Sequence, residues 1–132
     1  MKVMFDHNLS PKLARALQEF FKGNHIIESV RDRFPASIKD VDLFKQLSQD
    51  GHWIFISGDR RITKLRAERD AFRSSKLIGF FLSPGLYKAT EIKKLERILA
   101  LWGVIETTAN TVLPGAMYEL PMKANRVKQL KY

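Results

Sequence analysis

Carboxylates follow two short apolar segments of the sequence at matching points. Asp6 comes directly after residues 3–5, and Asp59 follows residues 53–56 after a two-residue turn. A third acid, Asp40, lies where a helical pattern begins. Carboxylates that converge repel one another at neutral pH unless a cation offsets their charge, and Mg²⁺ and Mn²⁺ prefer oxygen ligands. If these three acids converge, we expect them to be metal ligands and catalytic residues at a site that activates water against a phosphodiester.

Local structural roles compete with this metal-site hypothesis. Asp and Asn are frequent at strand ends and helix N-termini because they bond to the backbone there, so spacing alone leaves a capping role open for each acid. Gly58 is typical of a turn, and Ser10 before a proline is typical of a helix N-cap. The histidines lack metal-ligand spacing, and we assign them to surface or turn positions: His7, His25 and His52. We assign both tryptophans to the core: Trp53 and Trp102.

Alternating strand and helix patterns surround the three acids. Apolar runs predict five strands, the last of them at a sheet edge: residues 2–5, 25–30, 53–56, 77–82 and 116–120. Amphipathic periodicity predicts four helices, which begin after Ser10, at 37–40, near Ile62 and after Thr90. Loops are predicted at 31–35 and 83–85. This order favours an α/β fold with a mainly parallel central sheet flanked by helices, whose ligands bind beyond the carboxyl ends of the strands.

The length of 132 residues fits a single domain, which we place at residues 1–121. The helices are expected to bury one apolar stripe each, and these stripes include Val41, Leu65 and Ile92. Residues 122–132 carry four cations and no acid. We therefore expect this basic C-terminal tail to be mobile or bound to a partner.

The charge balance favours an anionic partner. Lys and Arg number 23 against 14 Asp and Glu, a formal net charge of +9. Nucleic acid is the first expectation, ahead of a membrane surface or an acidic protein. A cationic cluster follows Asp59 directly and ends at Arg73. Some of its members are predicted to contact RNA unless they form a solvated helix face, and the candidates are Arg60, Arg61, Lys64, Arg66 and Arg69.

Two classes of protein are disfavoured by composition. The chain has no cysteine, which excludes disulfides, thiolate metal sites and cysteine nucleophiles. No apolar run approaches the ~20 residues of a membrane span, and the start lacks the pattern of a signal peptide. We therefore expect a cytoplasmic protein without a membrane partner.

Two motifs make the chain similar to a known family. Residues 5–11 (FDHNLSP) resemble the opening of the small PIN-like proteins, and residues 56–62 (ISGDRRI) resemble their later strand-ending aspartate motif. Asp40 matches the acidic position of the helix between them. Residues 31–35 and 80–85 resemble, more narrowly, the PIN-like toxins related to the forty-fifth VapC-type toxin of mycobacteria. This resemblance extends from Met1 to about Leu120.

The resemblance implies a PIN-like fold and a ribonuclease that depends on Mg²⁺ or Mn²⁺, the toxin of a bacterial toxin–antitoxin pair. It carries over Asp6, Asp40 and Asp59 as the acids of the metal site. PIN domains usually have a fourth acid, for which Glu68 is the first candidate, with Asp42 and Asp70 behind it. Asn8 is expected either to orient a ligand or water or to stabilise the turn.

Three functional hypotheses remain open from the sequence. The first is the endoribonuclease, with RNA as substrate, a cognate antitoxin protein as partner and a homodimer as a further possibility. The antitoxin is expected at the basic mouth of the site and along the tail. The second is a catalytically incomplete PIN-like module that binds RNA or protein, and the third is a DNA nuclease. For the metal site, we expect Asp6→Asn or Asp59→Asn to leave the metal-free fold intact or slightly more stable, because a repulsive charge is removed.

Overall fold

A computed structural model describes residues 1–131 as an α/β fold around one six-stranded sheet. The strands are β1 (Lys2–Phe5), β2 (Ile26–Ser29), β3 (Trp53–Ser57), β4 (Ile78–Leu82), β5 (Met117–Leu120) and β6 (Lys128–Leu130). The helices are α1 (Pro11–Phe20), α2 (Val30–Arg33), α3 (Asp40–Gln49), α4 (Arg61–Lys64), α5 (Arg66–Arg73), α6 (Pro84–Tyr87), α7 (Glu91–Ala100) and α8 (Trp102–Thr111). The predicted fold class is confirmed.

The strand order is β2-β1-β3-β4-β5-β6, and the first five strands are parallel. Strand β1 therefore has β2 on one side and β3 on the other, with Phe5 opposite Ser29 and Ile56. The chain reverses its direction of winding between β1 and β3, which opens a crevice at their carboxyl ends. Asp6 and Asp59 both follow strands that end at this crevice.

Apolar residues cover both faces of the sheet, as continuous apolar strands predict. Because successive strand residues point to opposite faces, Val3 and Phe5 pack in one core cluster and Met4 packs in the other. Helices α1, α7 and α8 contribute to the first cluster, and α3 and α5 contribute to the second. Helix α3 carries Asp40 at its first residue, so packing of α3 on the sheet brings this acid towards the crevice.

The helical boundaries differ from the predicted ones in four places. The short helices α2 and α6 overlap the predicted loops at 31–35 and 83–85, and Ser29 and Ser83 cap them by accepting bonds from Arg31 N and Leu86 N. The third predicted helix is two helices, α4 and α5, since Leu65 between them is extended. Helix α8 was not predicted.

Three residues assigned to buried stripes are exposed instead: Val41, Leu65 and Ile92. In α3, Leu43 takes part in the buried stripe together with Phe44 and Leu47. Val41 is in the first turn of this helix, beyond the edge of the second core cluster.

The described part of the basic C-terminal tail contains a strand that the sequence analysis did not predict. Strand β6 pairs antiparallel with β5, so β5 is not an edge strand. Met122 and Val127 pack against the first core cluster, and the buried Arg97 guanidinium donates to the carbonyl oxygens of Pro121 and Ala124. The apolar residues between the cations fix the segment, and composition alone does not reveal this. No helix among residues 1–131 is long and apolar enough to span a membrane.

Candidate metal centre

Asp6 lies at the bottom of the crevice and is fully buried. Its Oδ1 accepts from His7 N at 2.7 Å and is 2.8 Å from His7 Nδ1. Its Oδ2 accepts from Ser57 Oγ at 2.7 Å and from Asn8 Nδ2 at 3.3 Å. Hydrogen bonds to an ionised acceptor are about twice as strong as neutral ones, so this set fixes the carboxylate in place and offsets its burial.

Asn8 and Ser57 connect the loops that follow β1 and β3. Asn8 Oδ1 accepts from Gly58 N at 3.0 Å, and Asn8 Nδ2 is 3.3 Å from Ser57 Oγ. The same hydroxyl accepts from Asp59 N at 2.9 Å. Asn8 therefore stabilises the turn and the carboxylate of Asp6 together. Ser57 was missed by the sequence analysis, although its position between strand and aspartate was the available signal.

Packing, as well as the turn, explains why residue 58 is a glycine. A Cβ atom at this position would overlap the ring of Tyr87 from α6. The ring of Tyr87 therefore lies directly against the loop that carries Asp59. Only glycine leaves room for it, which explains why the turn after β3 has no side chain at this point.

Asp40 occupies the opposite side of the crevice and is half-buried. Its carboxylate has no hydrogen-bond partner among residues 1–131. Burial, followed by the negative charges of Asp6 and Asp59, raises the pKa of Asp40 to about 6, and Glu68 adds to the effect. The charge on Asp40 is therefore unfavourable at neutral pH and would be stabilised by a cation.

Asp59 is near the other acids, but its carboxylate is engaged by Arg61. Arg61 donates to it from its backbone N at 2.9 Å, from Nε at 3.0 Å and from Nη2 at 2.9 Å. Burial acts to raise the pKa of Asp59, and the hydrogen bonds from Arg61 outweigh it, so the pKa is lowered. This pair, the Asp59–Arg61 ion pair, has a 74% exposed arginine side chain.

Asp6, His7 and Asp40 form a group of possible ligand residues, in which one atom of each lies within 4.8 Å of the others. Asp59 is outside this group. His7 is exposed and lies in a turn, as predicted, and what the sequence analysis did not predict is its place beside the acids, for which its adjacency to Asp6 was the signal. A hydrogen bond with the Asp6 carboxylate raises the pKa of His7 more than burial lowers it. The two carboxylates fit Mg²⁺ or Mn²⁺, with His7 beside them, and the mutual repulsion that raises the pKa of Asp40 is what such an ion would relieve.

The candidates for a fourth acid differ in their surroundings. Glu68 on α5 is half-buried, and its charge contributes to the raised pKa of Asp40. Asp70 lies near two arginines, with contacts of 3.7 Å to Arg66 Nε and 3.6 Å to Arg69 Nε. Asp42 is exposed on α3. These surroundings favour Glu68 over the other two acids.

Several of the cations predicted to bind RNA are paired with acids. Arg60 Nη1 lies 3.0 Å from Glu119 Oε2 on β5, and Arg61 holds Asp59. Arg66 and Arg69 share Asp70. Lys64 is exposed at the end of α4. An RNA contact for these residues stays a prediction.

A family model described as "PIN like domain" matches residues 1–84. The matched region includes β1 to β4 and all the acids that are candidates for the metal centre. The chain therefore belongs to the PIN-like domain family, which is part of a nuclease superfamily. The match ends before the resemblance to about Leu120 that the motifs suggested, and membership of the VapC-type toxin group stays a prediction. Neither the curated proteins nor the solved structures contain a match to this chain.

Proposed function

We propose that this PIN-like protein is a metal-dependent endoribonuclease. The observation that carries the proposal is the convergence of Asp6, His7 and Asp40 at the switch point of the sheet, with ligand atoms within 4.8 Å of one another. Membership of a nuclease superfamily and a net charge of +9 support a phosphodiester substrate. RNA is preferred over DNA because of the resemblance to ribonuclease toxins.

The residues of the crevice would have different roles in such a reaction. Asp6 and Asp40 would hold Mg²⁺ or Mn²⁺, and Asp59 would join them on release from Arg61. A divalent ion at this position supplies charge neutralisation at the phosphate and a more acidic water. His7 keeps its Nδ1 on Asp6, which leaves Nε2 to donate to a phosphate oxygen. Ser57 and Asn8 hold Asp6 so that its carboxylate needs no reorganisation.

The cellular role that we propose is the toxin of a bacterial type II toxin–antitoxin system. A ribonuclease inside its own cell must be inhibited, and a basic chain is complementary to an acidic antitoxin segment. Lys128 in β6 and Lys131 directly after it add exposed cations at the sheet edge. RNA and an antitoxin are the proposed partners, and a homodimer is a further one.

A second candidate function is favoured by the Asp59–Arg61 ion pair. If Arg61 keeps Asp59 from an ion, the site has fewer acids available than a PIN-type nuclease uses. The chain would then bind RNA or a protein without cutting. A cleavage assay separates this reading from the first.

The experiment uses the full chain with 5′-labelled single-stranded RNA and DNA of one sequence, in EDTA, Mg²⁺ or Mn²⁺. We expect RNA cleavage with either ion, none in EDTA, and a loss of roughly 100-fold or more in Asp6→Asn and Asp40→Asn. Asp42→Asn is the matched control, because it removes an exposed acid from the first turn of the same helix.

Tight RNA binding without cleavage in either ion would favour the second candidate. Preferential cleavage of DNA would assign the site to a DNA nuclease. Cleavage that persists in both site variants would disprove the proposed metal centre.

A further inference from the structure

A cavity of about 330 Å³ lies beside the metal centre, between α2 and the start of α3. His7 and Asp40 line both the cavity and the metal centre. The other walls come from the segment after α2 and from the buried side of α3. A molecule that entered this cavity would therefore touch the site at which we propose that phosphodiester bonds are cut.

The walls of the cavity combine apolar surface with a cationic rim. Phe34, Pro35, Ile38 and Leu43 supply the apolar part. Phe34 and Ile38 pack against the second core cluster and remain half-buried, so each also has accessible surface. Planar molecules with apolar faces fit such walls, and aromatic side chains stack on nucleobases in particular.

Arg31 is held at the rim of the cavity. Its Nε donates to the backbone carbonyl of His7 at 2.6 Å, and the side chain is exposed. This bond anchors the guanidinium next to the loop that carries Asp6 and His7. A fixed arginine between an apolar cavity and a metal centre suits a ligand that has both an aromatic ring and a phosphate.

We propose that this cavity binds one unpaired nucleobase of the RNA, next to the phosphate that would be cleaved at the metal centre. The proposal rests on the proposed nuclease function and adds the position of the substrate. One ribose separates a base from its phosphate, and His7 and Asp40 border both places. A paired base would have to leave its stack to enter, so the cavity selects single-stranded RNA.

The test measures binding in EDTA, so that it does not depend on cleavage. The probes are a fluorescent adenosine decamer of RNA and a decamer of the same length and charge that lacks bases. The variant is Ala36→Leu, which fills part of the cavity from an exposed position with a side chain that cannot stack. The matched control is Ala100→Leu, at an exposed position on α7, across the sheet from the cavity.

We expect Ala36→Leu to weaken binding of the adenosine decamer about 10-fold, which corresponds to about 1.4 kcal/mol. Ala36→Leu should leave the affinity for the abasic decamer unchanged. Ala100→Leu should change the affinity for neither decamer. Equal affinities of wild type and Ala36→Leu for the adenosine decamer would overturn the proposal. So would an equal loss for both decamers, because the variant would then disturb a phosphate contact.

Methyl NMR locates the base independently. In EDTA, adenosine 5′-monophosphate should shift the methyl signals of Ile38 and Leu43, whereas ribose 5-phosphate should not. The methyl groups of Leu113, exposed and outside this cavity, are the internal control. Unmoved Ile38 and Leu43 signals at saturating nucleotide would overturn the proposal.

The two proposals fail in different ways. Binding of the adenosine decamer through the cavity without any RNA cleavage would support the nucleobase site and disprove the nuclease function. Equal cleavage of RNA with and without a base beside the scissile phosphate would support the nuclease function and disprove the nucleobase site.

Discussion

The two sides of the metal centre are stabilised differently. On one side, Asp6, Asn8 and Ser57 form a closed network in which the carboxylate of Asp6 is satisfied by donors from two loops. On the other side, Asp40 has no hydrogen-bond partner among residues 1–131, and burial and neighbouring acids raise its pKa to about 6. We call these the fixed side and the open side. The fold itself positions the fixed side, and the open side remains unfavourable until a cation arrives.

The comparison predicts that Asp→Asn substitutions on the two sides have opposite effects on the stability of the metal-free protein. The largest effect is expected for Asp6→Asn on the fixed side. Its amide NH₂ would face a donor wherever it points, because all the contacts of Asp6 come from donors or from the His7 ring. We expect the metal-free protein to lose about 3 kcal/mol of unfolding free energy, measured by urea denaturation.

The control for Asp6→Asn is Asp32→Asn, which breaks an exposed ion pair with Arg15 and should cost less than about 1 kcal/mol. This prediction reverses the sequence-based expectation that relief of repulsion would leave the fold intact or more stable. A stability equal to or above that of wild type would show that repulsion between the acids outweighs the hydrogen bonds.

On the open side, Asp40→Asn should stabilise the metal-free protein, and the size of this effect should depend on pH. Because the pKa of Asp40 is raised on folding, the carboxyl destabilises the folded state as pH rises from about 4 through about 6. Asp40→Asn should therefore match wild type near pH 3.5 and be more stable by about 1–2 kcal/mol at pH 8, both without metal.

Thermal or urea denaturation at several pH values in EDTA checks this difference. Asp42→Asn again serves as the control, since Asp42 is exposed in the same helical turn. A constant difference between Asp40→Asn and wild type across this pH range would contradict the raised pKa.

The smallest effect on stability is expected between the two sides, at the Asp59–Arg61 ion pair. Arg61→Gln removes a largely exposed partner and should leave the free energy of unfolding nearly unchanged, because solvent screens exposed ion pairs. It should nevertheless increase the affinity for Mn²⁺ several-fold, because Asp59 becomes available to the ion.

Calorimetric titration with Mn²⁺ measures this affinity, and Arg66→Gln, which loses a contact with Asp70 on α5, is the matched control. If Mn²⁺ binds Arg61→Gln no more tightly than it binds wild type, Asp59 is not a ligand that Arg61 withholds.

Local pattern was sufficient to predict the scaffold of this site. The strands that end before Asp6 and Asp59 are continuous apolar runs, and Ser10 before Pro11 caps α1, accepting from Lys12 N as such a motif predicts. These features depend on residues within a few positions of one another. The same is not true of β6, whose apolar residues matter only because β5 lies beside them.

The candidate site was predicted in its elements and not in its contacts. Nothing in the sequence near Asp6 specifies that Ser57, 51 positions away, donates to it. Nothing near Asp40 specifies that its carboxylate lies within reach of Asp6 and His7 and has no hydrogen-bond partner in the described part of the chain, residues 1–131. Such choices depend on distances between loops, which are set by strand register and by how α3 packs on the sheet.

The sequence by itself determined the α/β architecture and the presence of acids after β1 and β3, because both follow from periodicity and from the order of elements. The tertiary structure alone decided which groups share the crevice. It brought Asp40 within reach of Asp6 and His7, joined the loops after β1 and β3 through Ser57 and Asn8, and opened a cavity beside Asp40. The physical reason is that charge repulsion, burial and hydrogen bonding act between atoms that are close in space, whatever their separation along the chain.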